Sequence, residues 1–141
     1  MSQDLNRFLE AQNKFYSLAL SEIKKGRKRS HWMWFVFPQF KGLGFSSTAK
    51  LYAIKDIQEA KDYLNHPVLG MRLKEISKEL LLLDSNNPTT VLGQPDDLKL
   101  KSSMTLFASL ENDDDDNVFR TVLEKYFNSE LDEKTMALIK K

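Results

Sequence analysis

The sequence predicts an all-α protein with one compact domain, residues 1–141, containing about six to eight helices. Apolar residues recur at helical spacing in several segments, which is typical of helices that bury one face. Helix-capping residues and prolines separate these segments, and no two segments pair as alternating strands would. A length of 141 residues is close to that of a single domain, so one core is expected.

The first element is an amphipathic helix over residues 4–25, followed by Gly26 as a C-terminal stop. Its apolar face carries Leu5, Phe8, Leu9, Phe15, Tyr16, Ala19, Leu20 and Ile23. Gln12 interrupts this face. A buried amide needs hydrogen-bond partners, so Gln12 is expected either to bind backbone or to face a cavity.

The most unusual stretch is residues 30–44, SHWMWFVFPQFKGLG, which holds both tryptophans of the chain. Ser30 is a candidate cap for a short helix from His31 to about Phe37, which Pro38 would end. A buried strand is the alternative, because periodicity cannot assign so short an apolar run. We favour a helix, since no other segment offers a strand partner. Ser46 or Ser47 is expected to cap the next helix, after a glycine-containing turn.

Similar local signals predict the remaining helices. Asp56 with Glu59 resembles a capping box, and Pro67 suits the first turn of a helix capped by His66 or Asn65. Pro95 suits the start of another helix, and Asp132 caps the last one. The predicted helices lie at 56–64, 67–83, 95–108, 118–127 and from 132 onward, with polar loops at 84–88 and 112–117.

Composition excludes several classes of function. The formal net charge of +1 provides no overall attraction to nucleic acid or to an anionic membrane, so neither is expected as a partner. The chain has no cysteine, which excludes disulfides and thiolate metal sites. It has no apolar run long enough to span a bilayer and no signal-peptide pattern, so a cytoplasmic protein is expected.

No cofactor or catalytic motif is present, and two histidines 35 positions apart do not suggest a metal site. The aromatic cluster from Trp32 to Phe37 is expected to be mainly core, with a stacking wall for a planar ligand as the alternative. Two tryptophans two positions apart point to different sides of any element. One of them is therefore expected to line a cleft.

Polar residues on apolar faces suggest where a site lies, because ligand pockets combine apolar walls with a few convergent polar groups. The first hypothesis is a pocket that binds or hydrolyses a nucleotide- or ribose-like molecule without a cofactor. Asp97 would be its catalytic acid, stabilising developing positive charge or orienting water. The other predicted ligand-binding residues are Gln12, Trp32, Trp34, Gln39, Lys99, Lys101 and Ser103. The second hypothesis is a non-catalytic protein-interaction module that uses the aromatic segment 31–45.

The motifs SHWMWFVFPQ, followed by GLG, and KLKSSMTLFA resemble the hallmarks of a bacterial family of unknown function, sometimes labelled calpastatin. The resemblance covers nearly the whole chain from Phe8 and implies a helical single domain, without an established activity. The sequence has no inhibitory repeat that would support the calpastatin label. The order of segments around Glu59, Met104 and 119–127 is also similar to the NADAR proteins, which resemble N-glycosidases acting on ribosyl compounds.

Overall fold

The computed structural model describes residues 5–111 and 117–140 of the chain. The predicted acidic linker at 112–117 therefore lies, apart from Asn117, outside the described residues. Within those ranges the helices are α1 (Leu5–Lys24), α2 (Met33–Val36), α3 (Ser47–Leu51), α4 (Ile57–Asn65), α5 (Leu69–Leu82), α6 (Pro88–Leu92), α7 (Asp96–Ala108), α8 (Val118–Phe127) and α9 (Glu133–Ile139).

The predicted all-α fold is confirmed, but the predicted number of helices is too low: the described residues contain nine. The unpredicted helix is α6. Its signals are local, because Asn87 caps it through Thr89 and Thr90, and Pro88 occupies its first turn. The helical interpretation of 31–37 is confirmed for Met33–Val36. Among the described residues, β-type pairing is limited to one isolated bridge between Phe40 and Ile54.

Helix α7 lies at the centre of the core. Every residue from Ser102 to Ala108 is buried, so this helix is covered on all sides in that stretch. It contacts α4, α6, α8 and α9, while α5 packs between α1, α4 and α8. The surrounding helices thus expose one face to solvent and turn the other toward α7 or α5, as amphipathic helices do.

Several predicted caps are confirmed. Ser46 accepts a hydrogen bond from the backbone N–H of Ala49, and Asp56 accepts one from that of Glu59. His66 Nδ1 accepts from the backbone N–H groups that precede and begin α5. Asp132 accepts from Thr135 at the start of α9. These side chains satisfy backbone donors that have no partner inside a helix.

The connection from α1 to the aromatic segment is held by one buried carboxylate, Glu22. Its Oε1 accepts hydrogen bonds from the backbone N–H groups of Arg29 at 2.8 Å and Ser30 at 3.0 Å, and from Trp32 Nε1 at 2.8 Å. Its Oε2 accepts from the Ser30 hydroxyl at 2.6 Å. The expected role of Ser30 as a cap is therefore wrong, because its hydroxyl binds Glu22 and α2 has no side-chain cap.

These bonds also decide the ionisation of Glu22. Burial by itself raises the pKa of the carboxyl, but the hydrogen bonds from Ser30, Arg29 and Trp32 outweigh burial and lower the pKa to about 2. The group is therefore a carboxylate at neutral pH. A buried charge that accepts this many hydrogen bonds strongly stabilises the turn, and removing it would leave the donors without their acceptor.

A second buried contact fixes α2 against α1 and α4. Gln12 is 2% exposed, and its Nε2 donates to the backbone oxygen of Phe35 at 2.7 Å and to the Tyr63 hydroxyl at 2.9 Å. Of the two expectations for Gln12, binding to backbone is the one observed. Burial raises the pKa of Tyr63, so its phenol stays neutral and accepts from the amide.

We predict that Glu22→Gln lowers the free energy of unfolding at neutral pH by about 2 kcal/mol or more, because charge-assisted bonds are lost. The folded pKa of about 2 lies below the ordinary value of 4.5. The carboxylate's contribution is thus fully present above about pH 4.5 and is lost as the pH falls toward 2. Urea unfolding from neutral to acidic pH should show the difference between wild type and variant shrinking across this window.

Glu10→Gln is the matched control, because Glu10 is exposed on the same helix. It should change stability little at any pH. A difference between wild type and Glu22→Gln that stays constant down to pH 2 would contradict the assigned role of the carboxylate.

Candidate functional site

The chain between Gln39 and Ile54 forms a loop that is closed at its base. Ile54 N–H donates to the Gln39 oxygen at 2.9 Å, and Lys41 N–H donates to the Ile54 oxygen at 2.8 Å. Pro38 follows the cluster from Trp32 to Phe37 and comes just before this pairing, and α3 lies inside the loop. Two clefts lie beside the loop, and Gly44 lines both.

Gly44 allows the loop to pass close to α3. A Cβ atom at position 44 would lie 2.6 Å from Ala49 Cβ and 3.7 Å from Trp34 Cζ3. The first distance is too short for two carbon atoms, so any larger residue would move the loop. The neighbouring Gly42 has a φ of +107°, a conformation that favours glycine.

The first cleft, here named the basic cleft, has a volume of about 740 Å³. It carries four cationic side chains and one acidic one. Lys41, Lys50 and Lys55 make none of the ion pairs seen among the described residues. The lining residues are Arg7, Lys41, Gly42, Gly44, Phe45, Lys50, Leu51, Ala53, Lys55 and Glu59.

Arg7 and Glu59 stabilise one wall of the basic cleft. Arg7 Nε donates to the backbone oxygen of Leu51 at 2.6 Å, and Nη2 donates to that of Ala53 at 2.8 Å. Nη2 also lies 3.2 Å from Glu59 Oε1, which accepts from the backbone N–H of Lys55 at 2.9 Å. Glu59, the single acid of the cleft, thus pairs with Arg7 and accepts a backbone hydrogen bond, so its negative charge is compensated.

Apolar side chains form the outer part of the basic cleft. Phe45 is 78% exposed and Leu51 is 55% exposed, which is unusual for large apolar residues. Both lie next to the lysines of the same loop. The cleft therefore combines apolar surface with positive charge.

The second cleft, here named the Trp34 cleft, is smaller, with a volume of about 280 Å³. Lys99 Nζ lies 3.8 Å from the centroid of the Trp34 ring and 3.1 Å from Asp96 Oδ1. The residues that line the Trp34 cleft are Trp34, Gln39, Leu43, Gly44, Pro95, Leu98, Lys99, Ser102, Asp132 and Lys134. Three predicted ligand-binding residues, Trp34, Gln39 and Lys99, therefore meet here.

The two tryptophans have different environments, as their spacing predicts. Trp32 is fully buried and donates to Glu22, with Lys28 Nζ 5.1 Å from its ring centroid. Trp34 is partly exposed and lines its cleft. Gln12 and Trp32 lie in the core and line neither of the two clefts.

The other predicted site residues on α7 do not meet Trp34. Asp97 is 7% exposed; its Oδ2 accepts from the Thr89 hydroxyl at 2.6 Å and its Oδ1 from the Leu98 N–H at 2.8 Å. Lys101 pairs with Glu130 at 3.3 Å beside a separate shallow depression. Ser103 is fully buried, and its hydroxyl has no hydrogen-bond partner among the described residues.

Sequence reasoning missed the basic cleft. Arg7 is not among the residues of the apolar face predicted for α1, and Lys41, Lys50 and Lys55 are spread over 15 positions without a motif. Only the closure of the loop at Ile54 brings them together. The available signal was the run of lysines at intervals of five to nine residues around the GLG turn, which is weak by itself.

Metal sites and membrane-spanning helices are both absent from the described ranges 5–111 and 117–140. They contain no group of three or more histidine, cysteine, aspartate or glutamate residues placed to hold a metal ion. None of their helices has both the length and the apolar character needed to cross a bilayer.

These features define a small all-α domain in which the basic cleft and the Trp34 cleft share one glycine of the same loop. The chain belongs to the family described as "Protein of unknown function (DUF1810)", whose pattern matches residues 2–139. The resemblance drawn from the SHWMWFVFPQ motif to a bacterial family of unknown function is thereby confirmed.

A solved structure supports the same assignment. The conserved hypothetical protein Rv1873 from Mycobacterium tuberculosis, whose crystal structure is solved, is 44% identical in sequence to this chain. The match covers 98% of this chain and 97% of that one, with a TM-score of 0.93. No curated protein matches this chain.

We predict that Gly44→Ala lowers the free energy of unfolding by about 1–3 kcal/mol, because its methyl group collides with Ala49 Cβ. The measurement is urea unfolding of Gly44→Ala, Ala49→Gly and the double variant. Ala49→Gly alone should cost about 1 kcal/mol through helix propensity. The double variant should lose less than the sum of the two single losses, because the collision is relieved. Strictly additive losses would contradict close packing of the loop on α3.

Proposed function

We propose that this domain binds a small nucleotide-like anion in the basic cleft. The observation that carries the proposal is the convergence of Arg7, Lys41, Lys50 and Lys55 on one cavity whose only acid, Glu59, is already engaged. Phosphate and carboxylate groups are the natural partners of such a cluster, through charge-assisted hydrogen bonds.

The charge of the cleft is local. The whole chain carries a formal net charge of +1, so four cations facing one acid represent a concentration of positive charge on this surface. Three of the four cations are lysines outside the ion pairs of the described residues. Their ammonium groups therefore need not break an existing ion pair to bind an anion.

Size and apolar surface favour a nucleotide over a bare inorganic anion. About 740 Å³ falls within the range of roughly 300–1,000 Å³ that is usual for small-molecule sites. Phe45 offers an exposed ring on which a base can stack, and Leu51 adds apolar contact. A ligand with an anionic group at one end and a planar ring at the other uses both parts of the cleft.

The proposal concerns binding, and hydrolysis by Asp97 stays a separate prediction. Asp97 lines neither cleft, and both of its oxygens accept hydrogen bonds within the protein. For Asp97 to orient water or stabilise a positive transition state, its bond to Thr89 would have to open first.

The second candidate function is protein interaction through the aromatic segment 31–45. It is favoured by Phe45, which leaves most of its ring in solvent beside the exposed Leu51. Most other aromatic side chains of this segment are core, so docking would depend on Phe45. Replacing Phe45 by serine should abolish docking, whereas nucleotide binding through the lysines should weaken only partly.

The proposal predicts that AMP binds in calorimetric titration and that adenosine, which lacks the phosphate, binds much more weakly. ADP-ribose, NAD and ribose 5-phosphate complete the panel of ligands. Affinity should fall as salt rises, because the attraction is electrostatic and partly exposed. Lys41→Met and Lys50→Met should each lower AMP affinity by between about threefold and tenfold.

Lys78→Met is the matched control, since Lys78 is exposed on α5 and does not line the basic cleft. It should leave AMP affinity unchanged. Equal binding of AMP and adenosine, equal effects of all three lysine variants, or no binding of any ligand in the panel would each overturn the proposal.

A further inference from the structure

The Trp34 cleft differs from the basic cleft in both size and surface. Its volume of about 280 Å³ is below the range of roughly 300–1,000 Å³ that is usual for small-molecule sites. The cleft is therefore too small to enclose a whole nucleotide. Its walls are largely apolar, formed by Trp34, Leu43, Pro95 and Leu98. Leu98 is 61% exposed although it lies on α7, whose later turns form the centre of the core.

Among the charged residues that line this cleft, the cations outnumber the acids. Lys99 and Lys134 line it, opposed by a single acid, Asp132. Asp132 Oδ2 is already occupied at the start of α9, where it accepts from the Thr135 N–H and hydroxyl. Ser102 donates its hydroxyl to the Leu98 oxygen, so this residue also satisfies its donor within the protein.

Lys99 is the group that can bind a ligand's charge. Its ammonium has three donors, and one of them is used by Asp96 at 3.1 Å. The Trp34 ring, 3.8 Å from Nζ, holds the ammonium at the edge of the cleft. Its side chain is 18% exposed, so an anion that enters beside the tryptophan can reach an N–H group that is not directed at Asp96.

We propose that the Trp34 cleft is a second binding site, separate from the basic cleft, for a small aromatic carboxylate. The ring of the ligand would pack between Trp34, Leu43 and Leu98, where removal of apolar surface from water favours binding. Its carboxylate would accept hydrogen bonds from Lys99, with Lys134 at the rim adding positive charge.

The test uses the two tryptophans as separate reporters in one protein. In a ¹⁵N-labelled sample, Trp34→Phe assigns the two indole N–H signals. Titration with phenylacetate should shift the Trp34 signal saturably. The Trp32 signal should stay in place, because that indole is fully buried and donates to Glu22. Phenethylamine, which has the same ring but the opposite charge, should bind at least tenfold more weakly.

Lys99→Met keeps an apolar chain over Trp34 and removes the charge; it should weaken phenylacetate binding about tenfold. Lys134→Met, at an exposed position, should weaken it about twofold to threefold and serves as the second variant if Lys99→Met melts early. Lys78→Met should have no effect. Equal binding of phenylacetate and phenethylamine, unchanged affinity in both Lys99→Met and Lys134→Met, or absence of a saturable Trp34 shift would overturn the proposal.

Discussion

The carboxylate of Glu22 is the interaction on which the arrangement of the aromatic segment depends. It collects donors from Arg29, Ser30 and Trp32, so the chain that leaves α1 turns back at a defined point. Because Trp32 is bound there through its indole N–H, it is directed into the core, and Trp34, two residues later, lies at the surface. One buried charge thereby separates the tryptophan that lies in the core from the one that lines a cleft.

The two clefts follow from how the chain continues after that turn. Gln12 binds the backbone of Phe35 and fixes α2, and the pairing of Ile54 with Gln39 and Lys41 closes the loop that follows. Arg7 reaches from α1 to the backbone oxygens of Leu51 and Ala53. The loop is therefore tied to the core at its base and along one side. The backbone of a loop held in this way keeps a defined geometry, which reduces the entropy lost when a ligand binds.

Local parts of this structure were predictable from sequence, and long-range parts were not. Ser46, Asp56 and Asp132 act as caps within three residues of themselves, so sequence alone identifies them. Asn87 carries the same signal but was assigned to a polar loop, because the helix after it has only five residues. Ser30 was misassigned because its partner, Glu22, lies eight residues earlier on another element.

In the candidate site, too, the local features were predictable from sequence and the long-range contacts were not. That one tryptophan would line a cleft followed from side-chain alternation, and Trp34, Gln39 and Lys99 do meet. The basic cleft depends on Arg7 contacting Glu59, 52 residues away, and no periodic pattern encodes such a contact. Polar residues on apolar faces, such as Gln12 and Asp97, suggested a ligand site, but in the structure their side chains make hydrogen bonds within the protein, as buried polar groups usually do.

A crystal structure of the chain with AMP would test most directly whether the loop between Gln39 and Ile54 forms a ligand site. We expect the phosphate to lie within hydrogen-bonding distance of at least two of Lys41, Lys50 and Lys55, with the Trp32–Glu22 bond unchanged. A nucleotide bound away from this loop, or one that contacts none of these lysines, would contradict this expectation.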